Sequence, residues 1–414
     1  MRDLLFLAHR IPYPPDKGEK IRAWHEFLRL ARTHRVHLGC FIDDPADLAH
    51  VPTLAAHCAD LLAIRLAPRR QRLRALLRVR PGRPLSLDYF FDAGMAAWVA
   101  QKRAQGIKRA FVYCSAMAPY VMAATELWRV LDMVDVDSAK WDDYARRAAW
   151  PMRALWAREA RTLLAFERRA AAACDRTLFV SAAECAAFTA LAPEVAGRCG
   201  WVGNGVDTAY FAPPPDAAMS GYAMPWPVGG PVAVFTGTMN YRPNIAAVSW
   251  FADQVLPLLH RTHPGLRFAI VGANPAPAVR RLAGRPGVLV SGRVADMRPF
   301  LAYAALAVAP LSIARGIQNK VLEAMAMARP VVATPQAFAG INAVAGRDLL
   351  VADGAAAFAA AVAAVLDGQH PGLGAAARAA VLQRHAWSAT LAGLDAMLAP
   401  GPVAASSLAH EAMT

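Results

Sequence analysis

Residues 315–326, which read Arg-Gly-Ile-Gln-Asn-Lys-Val-Leu-Glu-Ala-Met-Ala, decide how the fold of this chain is interpreted. They follow the apolar run from Leu306 to Leu311, which predicts a buried strand, and they predict a helix that begins at about Gly316 or Ile317. Free backbone amides and the helix dipole both attract negative charge at such a helix start. The stretch therefore predicts an anion site that would suit a nucleoside diphosphate.

The charged side chains of this stretch favour the same interpretation. Arg315 and Lys320 lie near the positive end of the predicted helix, where cations are unfavourable unless a bound anion offsets them. Lys320 and Glu323 share one helix face with Gly316, whereas Leu322 turns inward. The alternative is an ordinary surface helix that carries an ion pair between residues i and i+3.

The stretch resembles the nucleotide-sugar site of family-4 glycosyltransferases of the GT-B fold. In that family two glutamates with seven residues between them contact the donor. Glu323 takes the place of the second glutamate, and Arg315 stands where the first is expected. Together with residues 134–141 (Val-Asp-Val-Asp-Ser-Ala-Lys-Trp), it is similar to the sugar transferases of PEP-CTERM exopolysaccharide systems, and the similarity covers nearly the whole chain.

This resemblance implies an activity as well as a fold. The fold class it implies is α/β, with two Rossmann-like domains and a cleft between them. The activity is a retaining hexosyltransferase of class EC 2.4, which moves a sugar from a nucleoside diphosphate sugar to a lipid-linked or polysaccharide acceptor in bacterial exopolysaccharide synthesis. Such an enzyme needs no metal and no cofactor beyond its donor substrate.

The alternation of segments along the chain predicts the same architecture independently. Repeated strand and helix patterns favour parallel sheets covered by helices on both faces. Predicted strands cover residues 3–8, 36–42, 61–66, 110–114, 130–136, 177–180, 201–202, 232–236, 268–272, 288–291, 306–309, 330–334 and 349–351. A turn at residues 204–207 and the prolines at 213–215 mark a domain boundary. We expect an N-terminal, acceptor-side domain over 1–205, a C-terminal nucleotide-sugar domain over 206–398, and a disordered tail over 399–414.

Two further strand ends carry a glycine that allows close backbone approach. Gly18 opens a helix after the first strand and a proline-rich loop, and the resemblance implies that it lies beside the donor diphosphate, with Arg22 as a further contact. Gly237 follows the first strand of the second domain, and the resemblance places the nearby Arg242 on the diphosphate. The turn at Gly272 is better interpreted as an ordinary connection from strand to helix.

The resemblance thus implies a complete donor site. Its residues are Gly18, Arg22, Gly237, Arg242, Arg315, Gly316, Ile317, Lys320 and Glu323. Lys320, Arg242 and the backbone amides would stabilise the departing diphosphate, because preorganised positive charge lowers the energy of charge that develops in the transition state. Glu323 would hold the ribose hydroxyls in position.

Asp135 and Asp137 end a predicted strand of the first domain and allow three interpretations. An Asp-x-Asp pair resembles the metal-binding signature of single-domain glycosyltransferases, in which carboxylates hold a divalent ion. In GT-B relatives this strand end faces the acceptor and often carries a histidine, so either aspartate would act there as a catalytic residue. The third interpretation is capping and pairing with Lys140, Arg146 or Arg147.

The charge of the chain predicts an acidic partner. Its formal net charge is +14 and its pI is near 10.0. The run from Arg65 to Arg83 contains eight arginines and no acid, and Leu66 and four further apolar residues lie among them. A short helix here would bind an anionic membrane surface. A solvated basic loop is the alternative, and nucleic acid is not expected because aromatic residues do not interleave with the cations on a recognisable motif.

Several protein classes are excluded or left as alternatives. The sequence lacks an apolar run long enough to span a bilayer and lacks a signal peptide, so we expect a cytoplasmic protein that attaches peripherally to the inner face of the plasma membrane. It also lacks the motifs of zinc and serine hydrolases. A nucleotide-sugar epimerase on the same fold, a non-enzymatic basic nucleic-acid-binding protein and a catalytically silent scaffold remain as alternatives.

Overall fold

The structure is a computed structural model that describes residues 1–15, 18–67, 82–214, 223–227, 229–314 and 317–399. The chain forms two compact units, each with its own sheet and core. The first unit comprises Met1–Gly203 with Leu391–Thr414, and the second comprises Asn204–Thr390. The expected tail, apart from its first residue, lies outside the described residues.

The first unit is built on a parallel sheet. Its strands are β1 (Arg2–Ala8), β2 (His34–Ile42), β3 (Asp60–Arg65), β4 (Arg109–Tyr113), β5 (Trp128–Val134), β6 (Arg176–Phe179) and β7 (Cys199–Trp201). They lie in the order β3-β2-β1-β4-β5-β6-β7, so the order reverses between β1 and β4. Residues 4–8 of β1 are fully buried because helices cover both faces of the sheet.

Helices connect these strands. They are α1 (Gly18–Ala31), α2 (Val51–Ala55), α3 (Leu85–Tyr89), α4 (Ala93–Ala104), α5 (Asp137–Arg147), α6 (Met152–Ala173) and α7 (Ala182–Leu191). Short 3₁₀ turns cover Pro45–His50, Ser115–Tyr120 and Pro193–Arg198. The helix predicted near Gly18 begins at that residue, where α1 carries Trp24 and Phe27 into the core.

The second unit repeats this design. Its strands are β8 (Val232–Thr236), β9 (Arg267–Val271), β10 (Val288–Gly292), β11 (Leu306–Ala309), β12 (Val331–Ala333) and β13 (Leu350–Val351), in the order β10-β9-β8-β11-β12-β13. The pairings recorded for this sheet are parallel. Here the order reverses between β8 and β11.

Helices also cover the second sheet. They are α8 (Arg242–Trp250), which continues through a π-helical turn (Phe251–Val255) into α9 (Leu256–Leu259), then α10 (Pro277–Leu282), α11 (Arg298–Ala302), α12 (Asn319–Ala326), α13 (Pro335–Phe338), α14 (Ala355–Leu366), α15 (Leu373–Arg384) and α16 (Trp387–Thr390). The prediction of an α/β fold with two Rossmann-like domains is confirmed.

The segment after α16 belongs to the first unit. It contains α17 (Leu394–Met397), and the Asp395 carboxylate accepts a hydrogen bond from Arg29 Nε at 2.8 Å. Trp128 Nε1 donates to the carbonyl oxygen of Met397 at 2.8 Å. The prediction that placed residues up to 398 in the second domain is corrected accordingly, because these bonds tie the segment to α1 and to the start of β5.

Candidate functional site

A cavity of about 290 Å³ lies in the second unit at the carboxyl end of β8, where the strand order reverses. It is lined by Thr236, Gly237, Thr238, Asn244, Met297, Ile317, Asn319, Lys320 and Glu323. Open parallel sheets bind their ligands at this reversal, because adjacent loops diverge there and leave a crevice. The structure therefore brings together Gly237, Lys320 and Glu323, which the sequence singled out from separate segments.

Lys320 lies on the first turn of α12 and reaches across to α8. Its Nζ donates to Asn244 Oδ1 at 2.6 Å and lies 4.5 Å from the centroid of the Phe235 ring. Burial lowers the pKa of the Lys320 ammonium to about 8, against the opposing attraction of Glu323. A phosphate group in the cavity would meet a cation that is held in a defined position.

Glu323 follows Lys320 by one helical turn and is half-buried. Burial raises the pKa of its carboxyl to about 7, although the nearby Lys320 opposes this shift. Two groups of opposite sign thus titrate near neutral pH in one cavity. Perturbed pKa values of this kind are typical of functional sites.

Gly237 is required by the close approach of α8 and α12 to the end of β8. Its φ of +151° is rarely adopted by other residues, and an added Cβ would lie 2.8 Å from Asn244 Nδ2 and 3.2 Å from Lys320 Nζ. A side chain here would therefore displace the Asn244–Lys320 pair. Gly272, in contrast, packs on the Gly237 carbonyl, 1.7 Å from where its Cβ would lie, which gives it a structural role.

Sequence reasoning did not assign Asn244, Asn319 and Thr236 to the site. Asn319 Oδ1 is buried and has no hydrogen-bond partner among the described residues. Hydroxyl or amide hydrogens of a ligand are the groups that such an acceptor binds. The signal that could have revealed the role of Asn244 is its position in the first turn of the helix that follows Gly237.

The other predicted donor residues of this unit are placed differently. Arg242 is the first residue of α8, is exposed, and is not among the residues that line the cavity. Ile317 lines the cavity, whereas Arg315 and Gly316 lie outside the described residues. The helix begins at Asn319 rather than at Gly316 or Ile317, because Gln318 has an extended backbone and acts as the N-cap residue.

A second cavity, of about 260 Å³, lies in the first unit at the reversal between β1 and β4. Its lining includes His9, Arg10, Glu19, Ser86, Tyr113, Ser115, Asp135, Asp137, Lys140 and Trp141. These residues follow β1, β4 and β5 or lie on adjacent helices. Asp135 and Asp137, predicted as acceptor-side residues, thus line a cavity at the carboxyl end of their strand.

Lys140 bridges both aspartates. Its Nζ donates to Asp135 Oδ2 at 2.8 Å and to Asp137 Oδ1 at 3.0 Å. Burial lowers the pKa of the Lys140 ammonium, but Asp137 and Asp135 together outweigh burial and raise it above its usual range. A side chain of the protein therefore supplies the positive charge that a metal ion would supply to such a pair, and this favours the pairing interpretation.

His9 is a residue of this cavity that sequence reasoning missed. Its ring stacks on Tyr113 at a centroid distance of 5.8 Å, and its Nδ1 is buried without a hydrogen-bond partner among the described residues. Burial lowers the pKa of the imidazole, against the attraction of Glu19, so the ring is neutral at neutral pH. The available signal was its position directly after β1, at the same sheet edge as Asp135.

The backbone at this edge is strained. Val134 and Cys114, which end or follow neighbouring strands, have φ values of +67° and +78°. Such values are rare for residues other than glycine, most of all for a β-branched residue, and they cluster at functional sites. The Val134 amide donates to Asp132 Oδ1 at 2.9 Å, so the buried Asp132 carboxylate holds the turn that presents Asp135.

The structure corrects the assignment of Arg22 to the donor site. Its side chain is 1% exposed, and its Nε donates to Asp132 Oδ2 at 2.7 Å. A second bond, of 2.8 Å, runs from Nη1 to the carbonyl oxygen of Val202. Arg22 is therefore a buried structural cation that supports the Asp132 carboxylate. Gly18 lies at the exposed N-terminus of α1, next to Glu19 of the cavity wall.

The predicted membrane segment falls mostly on residues 68–81, which lie outside the described residues. At its ends, Arg65 is exposed and Arg83 Nε donates to Asp88 Oδ1 at 3.0 Å. Leu66 is 3% exposed and packs in the core of the first unit, so it does not contribute an apolar side chain to a membrane-binding surface.

Membrane-spanning helices and metal-binding clusters are both absent from the described residues. Over the described ranges, helices long and apolar enough to cross a bilayer do not occur. In the same part of the chain, clusters of three or more His, Cys, Asp or Glu side chains that could hold a metal ion are also not found.

Comparisons with known proteins relate this geometry to a family. Residues 230–368, which contain β8, α8 and α12 around the cavity of the second unit, match the family model described as "Glycosyl transferases group 1". No curated protein matches the chain.

Solved structures share the fold over nearly the whole chain. Sucrose-phosphate synthase from Thermosynechococcus elongatus superimposes with a TM-score of 0.66 at 18% identity, over 96% of this chain and 98% of that chain. The Anabaena protein HepE in complex with UDP and glucose gives 0.64 at 16% identity, over 96% and 99%. WaaG, a glycosyltransferase involved in lipopolysaccharide biosynthesis, gives 0.61 at 16% identity, over 96% and 100%.

At such low sequence identity, the likeness to these structures establishes the fold alone. The family model, in contrast, matches the unit that contains Lys320 and Glu323. The domain match and the two-sheet architecture together support a glycosyltransferase of the GT-B fold.

Proposed function

We propose that this protein is a retaining hexosyltransferase that takes its sugar from a nucleoside diphosphate sugar. The observation that carries the proposal is the Lys320–Asn244 bond, which fixes a cation beside Glu323 in a cavity at the strand reversal of the second unit. HepE, with the same fold, has been solved with UDP and glucose, which fits a donor of this kind.

The donor's diphosphate is proposed to lie against the N-termini of α8 and α12. Free amides and the positive dipole ends of these two helix termini would attract the phosphates, and the Lys320 ammonium adds a full charge. Arg242, exposed on the first turn of α8, and the Arg315 and Gly316 of the family resemblance are proposed to reach the same phosphates. Their positive charge would stabilise the diphosphate as it leaves the sugar.

Glu323 and Asn319 are proposed to orient the rest of the donor. An ionised Glu323 carboxylate accepts two hydroxyl hydrogen bonds at once, which suits the vicinal hydroxyls of a ribose. Asn319 Oδ1, buried without a partner among the described residues, offers a further acceptor. Ile317 supplies an apolar wall. These contacts position the donor and do not take part in bond breaking.

The cavity of the first unit is proposed as the acceptor site. His9, Asp135 and Asp137 line it and offer hydrogen-bond acceptors for the hydroxyl that attacks the sugar. Gly18 is retained as a residue near the donor on the strength of the family resemblance alone.

The reaction is proposed to proceed without a metal ion. Lys320 and the two helix termini provide positive charge that would offset a diphosphate, and Lys140 already bridges Asp135 and Asp137. The Asp-x-Asp interpretation would require Lys140 to give way to a divalent cation.

The finer role is proposed from the family resemblance: transfer to a lipid-linked or polysaccharide acceptor in bacterial exopolysaccharide synthesis, at the cytoplasmic face of a membrane. WaaG, which shares the fold, is involved in lipopolysaccharide biosynthesis, which fits an acceptor of this class. The basic run from Arg65 to Arg83 stays a prediction for membrane attachment.

A thermal-shift panel with UDP, GDP, dTDP and ADP tests the proposal. A ligand that binds the native state raises the midpoint by mass action, so the pattern identifies the base. The Lys320→Gln variant should lose the shift, whereas Arg168→Gln on the first unit should keep it. The proposed donor site would be contradicted if all four nucleotides gave equal shifts or none. It would also be contradicted if the Lys320→Gln variant kept the shift of the wild type.

A further inference from the structure

The α5–α6 hairpin of the first unit presents a surface that the proposed function does not use. The turn between α5 (Asp137–Arg147) and α6 (Met152–Ala173) carries Trp150, whose relative exposure of 83% is the highest among the exposed large apolar residues of the described chain. Met152 and Tyr144 beside it are 41% and 53% exposed. We call Tyr144, Trp150 and Met152 the hairpin tip.

The hairpin tip projects beyond the core. The fully buried side chains of this 22-residue helix, α6, begin at Glu159, and residues 152–154 of its first turn are exposed. An exposed tryptophan next to a methionine is an unfavourable surface in water, since each apolar group gains free energy when water is removed from it. This surface therefore fits a partner that removes Trp150 from water.

The charge around the tip indicates what that partner is. Between Asp142 and Arg161 the chain carries five arginines and three acids. Asp142 and Asp143 pair with Arg146, which leaves four arginines and Glu159. Glu159 does not reduce the positive charge of the surface, because its side chain is only 3% exposed. Its carboxylate accepts hydrogen bonds from the backbone amides of Leu85 and Ser86 at 2.9 and 3.1 Å. The hairpin tip is thus an aromatic and apolar surface with arginines near it.

That combination is complementary to an anionic lipid bilayer. Tryptophan and tyrosine favour the interface between headgroups and acyl chains, because one end of each ring is apolar and the other is polar. Arginines around them meet lipid phosphates while their methylene stems lie on the apolar boundary. A rigid helical hairpin keeps these groups together without the ordering cost that a free loop would bear.

The same hairpin leads to the first cavity. Trp141 of α5 lines the cavity, and its ring lies 5.9 Å from Tyr144 and 6.4 Å from Trp156 between centroids. Tyr144 and Trp156 are themselves 5.8 Å apart. A band of aromatic rings therefore runs from the cavity wall to the exposed tip.

We infer that the hairpin tip docks on an anionic bilayer surface and holds the cavity of the first unit at the level of the lipid headgroups. This surface adjoins the end of the predicted segment between Arg65 and Arg83, because Arg158 Nη2 donates to the carbonyl oxygen of Arg83 at 3.1 Å, but the hairpin tip consists of other residues. The inference deepens the proposed function, since it rests on an acceptor carried by lipid, but vesicle binding itself needs neither donor nor transfer.

Flotation of the full chain with vesicles tests the inference. Vesicles of phosphatidylcholine alone and of phosphatidylcholine mixed with phosphatidylglycerol are used, at low and high salt. Binding of the wild-type chain is expected on the mixed vesicles, with a decline at high salt because exposed charges are screened. The double variant Trp150→Ser/Met152→Ser should bind them about tenfold more weakly, because two apolar side chains no longer leave water.

Matched variants separate the tip from general charge. Arg153→Gln/Arg161→Gln removes two cations near the tip, and Arg168→Gln/Arg169→Gln removes two from the other end of α6. Only the first pair should weaken binding. Leu191→Ser, which replaces another exposed apolar residue of the first unit, should bind like the wild type. Thermal midpoints of all variants check that each has folded.

Two results would overturn the inference, and a third would assign the hairpin tip to a different partner. Wild-type binding by the Trp150→Ser/Met152→Ser variant would overturn the inference. So would loss of all binding on changing Arg69, Arg70, Arg72 and Arg74 to Gln while the tip variants bind normally, since the other segment would then be the anchor. A change in oligomeric state on Trp150→Ser, without a change in vesicle binding, would assign the tip to a second copy of the chain. Thermal shifts with nucleotides report on the donor site independently of all these results.

Discussion

Lys320 Nζ lies 2.6 Å from Asn244 Oδ1, so one hydrogen bond joins the first turns of α12 and α8 across the end of β8. The two helices follow strands on either side of the reversal in strand order, and Gly237 lies between them. Both helix N-termini are thereby held around a single cavity.

Replacing Glu323 with alanine should remove a donor contact and leave the fold intact. A hydrogen bond to a charged group contributes about 1.5 to 3 kcal/mol, so donor binding or turnover should fall about tenfold to a hundredfold. Steady-state kinetics and a thermal midpoint measure the two effects separately. The control is Glu194→Ala, which removes an exposed carboxylate from the first unit. Wild-type kinetics for Glu323→Ala would exclude α12 from the site.

The pH dependence of kcat/KM should be bell-shaped, with its limbs set by Glu323 and Lys320. Below about pH 7 the Glu323 carboxyl gains a proton and no longer accepts two hydroxyl hydrogen bonds. Above about pH 8 the Lys320 ammonium loses its proton and no longer attracts the diphosphate. Activity should therefore fall in both directions.

Conservative variants assign the two limbs. Glu323→Gln cannot ionise and should abolish the acid limb, while Lys320→Arg stays charged and should move the alkaline limb upward. A wild-type profile that is flat between about pH 6 and pH 9 would show that neither group controls catalysis in this range.

Chelation with EDTA should leave transfer activity largely unchanged. Lys320 and the N-termini of α8 and α12 supply the neutralising charge, and Lys140 occupies the carboxylates of Asp135 and Asp137. The measurement is initial rate before and after chelation. Complete loss that manganese or magnesium restores, together with loss of this response in Asp135→Asn, would instead identify the aspartates as metal ligands.

Gly237→Ala should weaken donor binding about tenfold, because the new methyl group displaces Asn244 and Lys320. Gly292→Ala is the matched control. That position also has a positive φ, of +70°, but nothing lies within 4 Å of its added Cβ. Both variants should lose stability, by roughly 1 to 3 kcal/mol, because alanine rarely adopts a positive φ, but only Gly237→Ala should lose nucleotide affinity. Equal affinities would show that the Asn244–Lys320 pair is not needed for binding.

The strands were the most predictable part of the fold. The predicted bounds of Val232–Thr236 and Leu306–Ala309 agree with the structure. Both strands are buried on both faces, so every residue is apolar or small and the strand can be recognised from a continuous run of such residues. The start of α12 was less accessible, because the extended backbone of Gln318 depends on packing that propensity does not report.

The site was predictable where function follows a strand end and unpredictable where a partner lies far along the chain. Glu323 and Lys320 could be found from a strand followed by a helix start. Arg22 was misassigned because its partner Asp132 lies 110 residues away, and a cation after a glycine loop resembles a ligand contact until that partner is known. His9 had no motif around it, and only the strand order shows that it shares an edge with Asp135.

The return of residues 391–399 to the first unit determines when that unit can be completed during synthesis. The ribosome makes this segment only after the whole of the second unit, so the bonds from Arg29 and Trp128 to Asp395 and Met397 form last. A gene fragment that stops at Gly203 would yield a first unit without these bonds. Separate expression of the first unit therefore calls for a gene in which a linker replaces the codons for 204–390, so that residues 391–399 follow Gly203 through that linker.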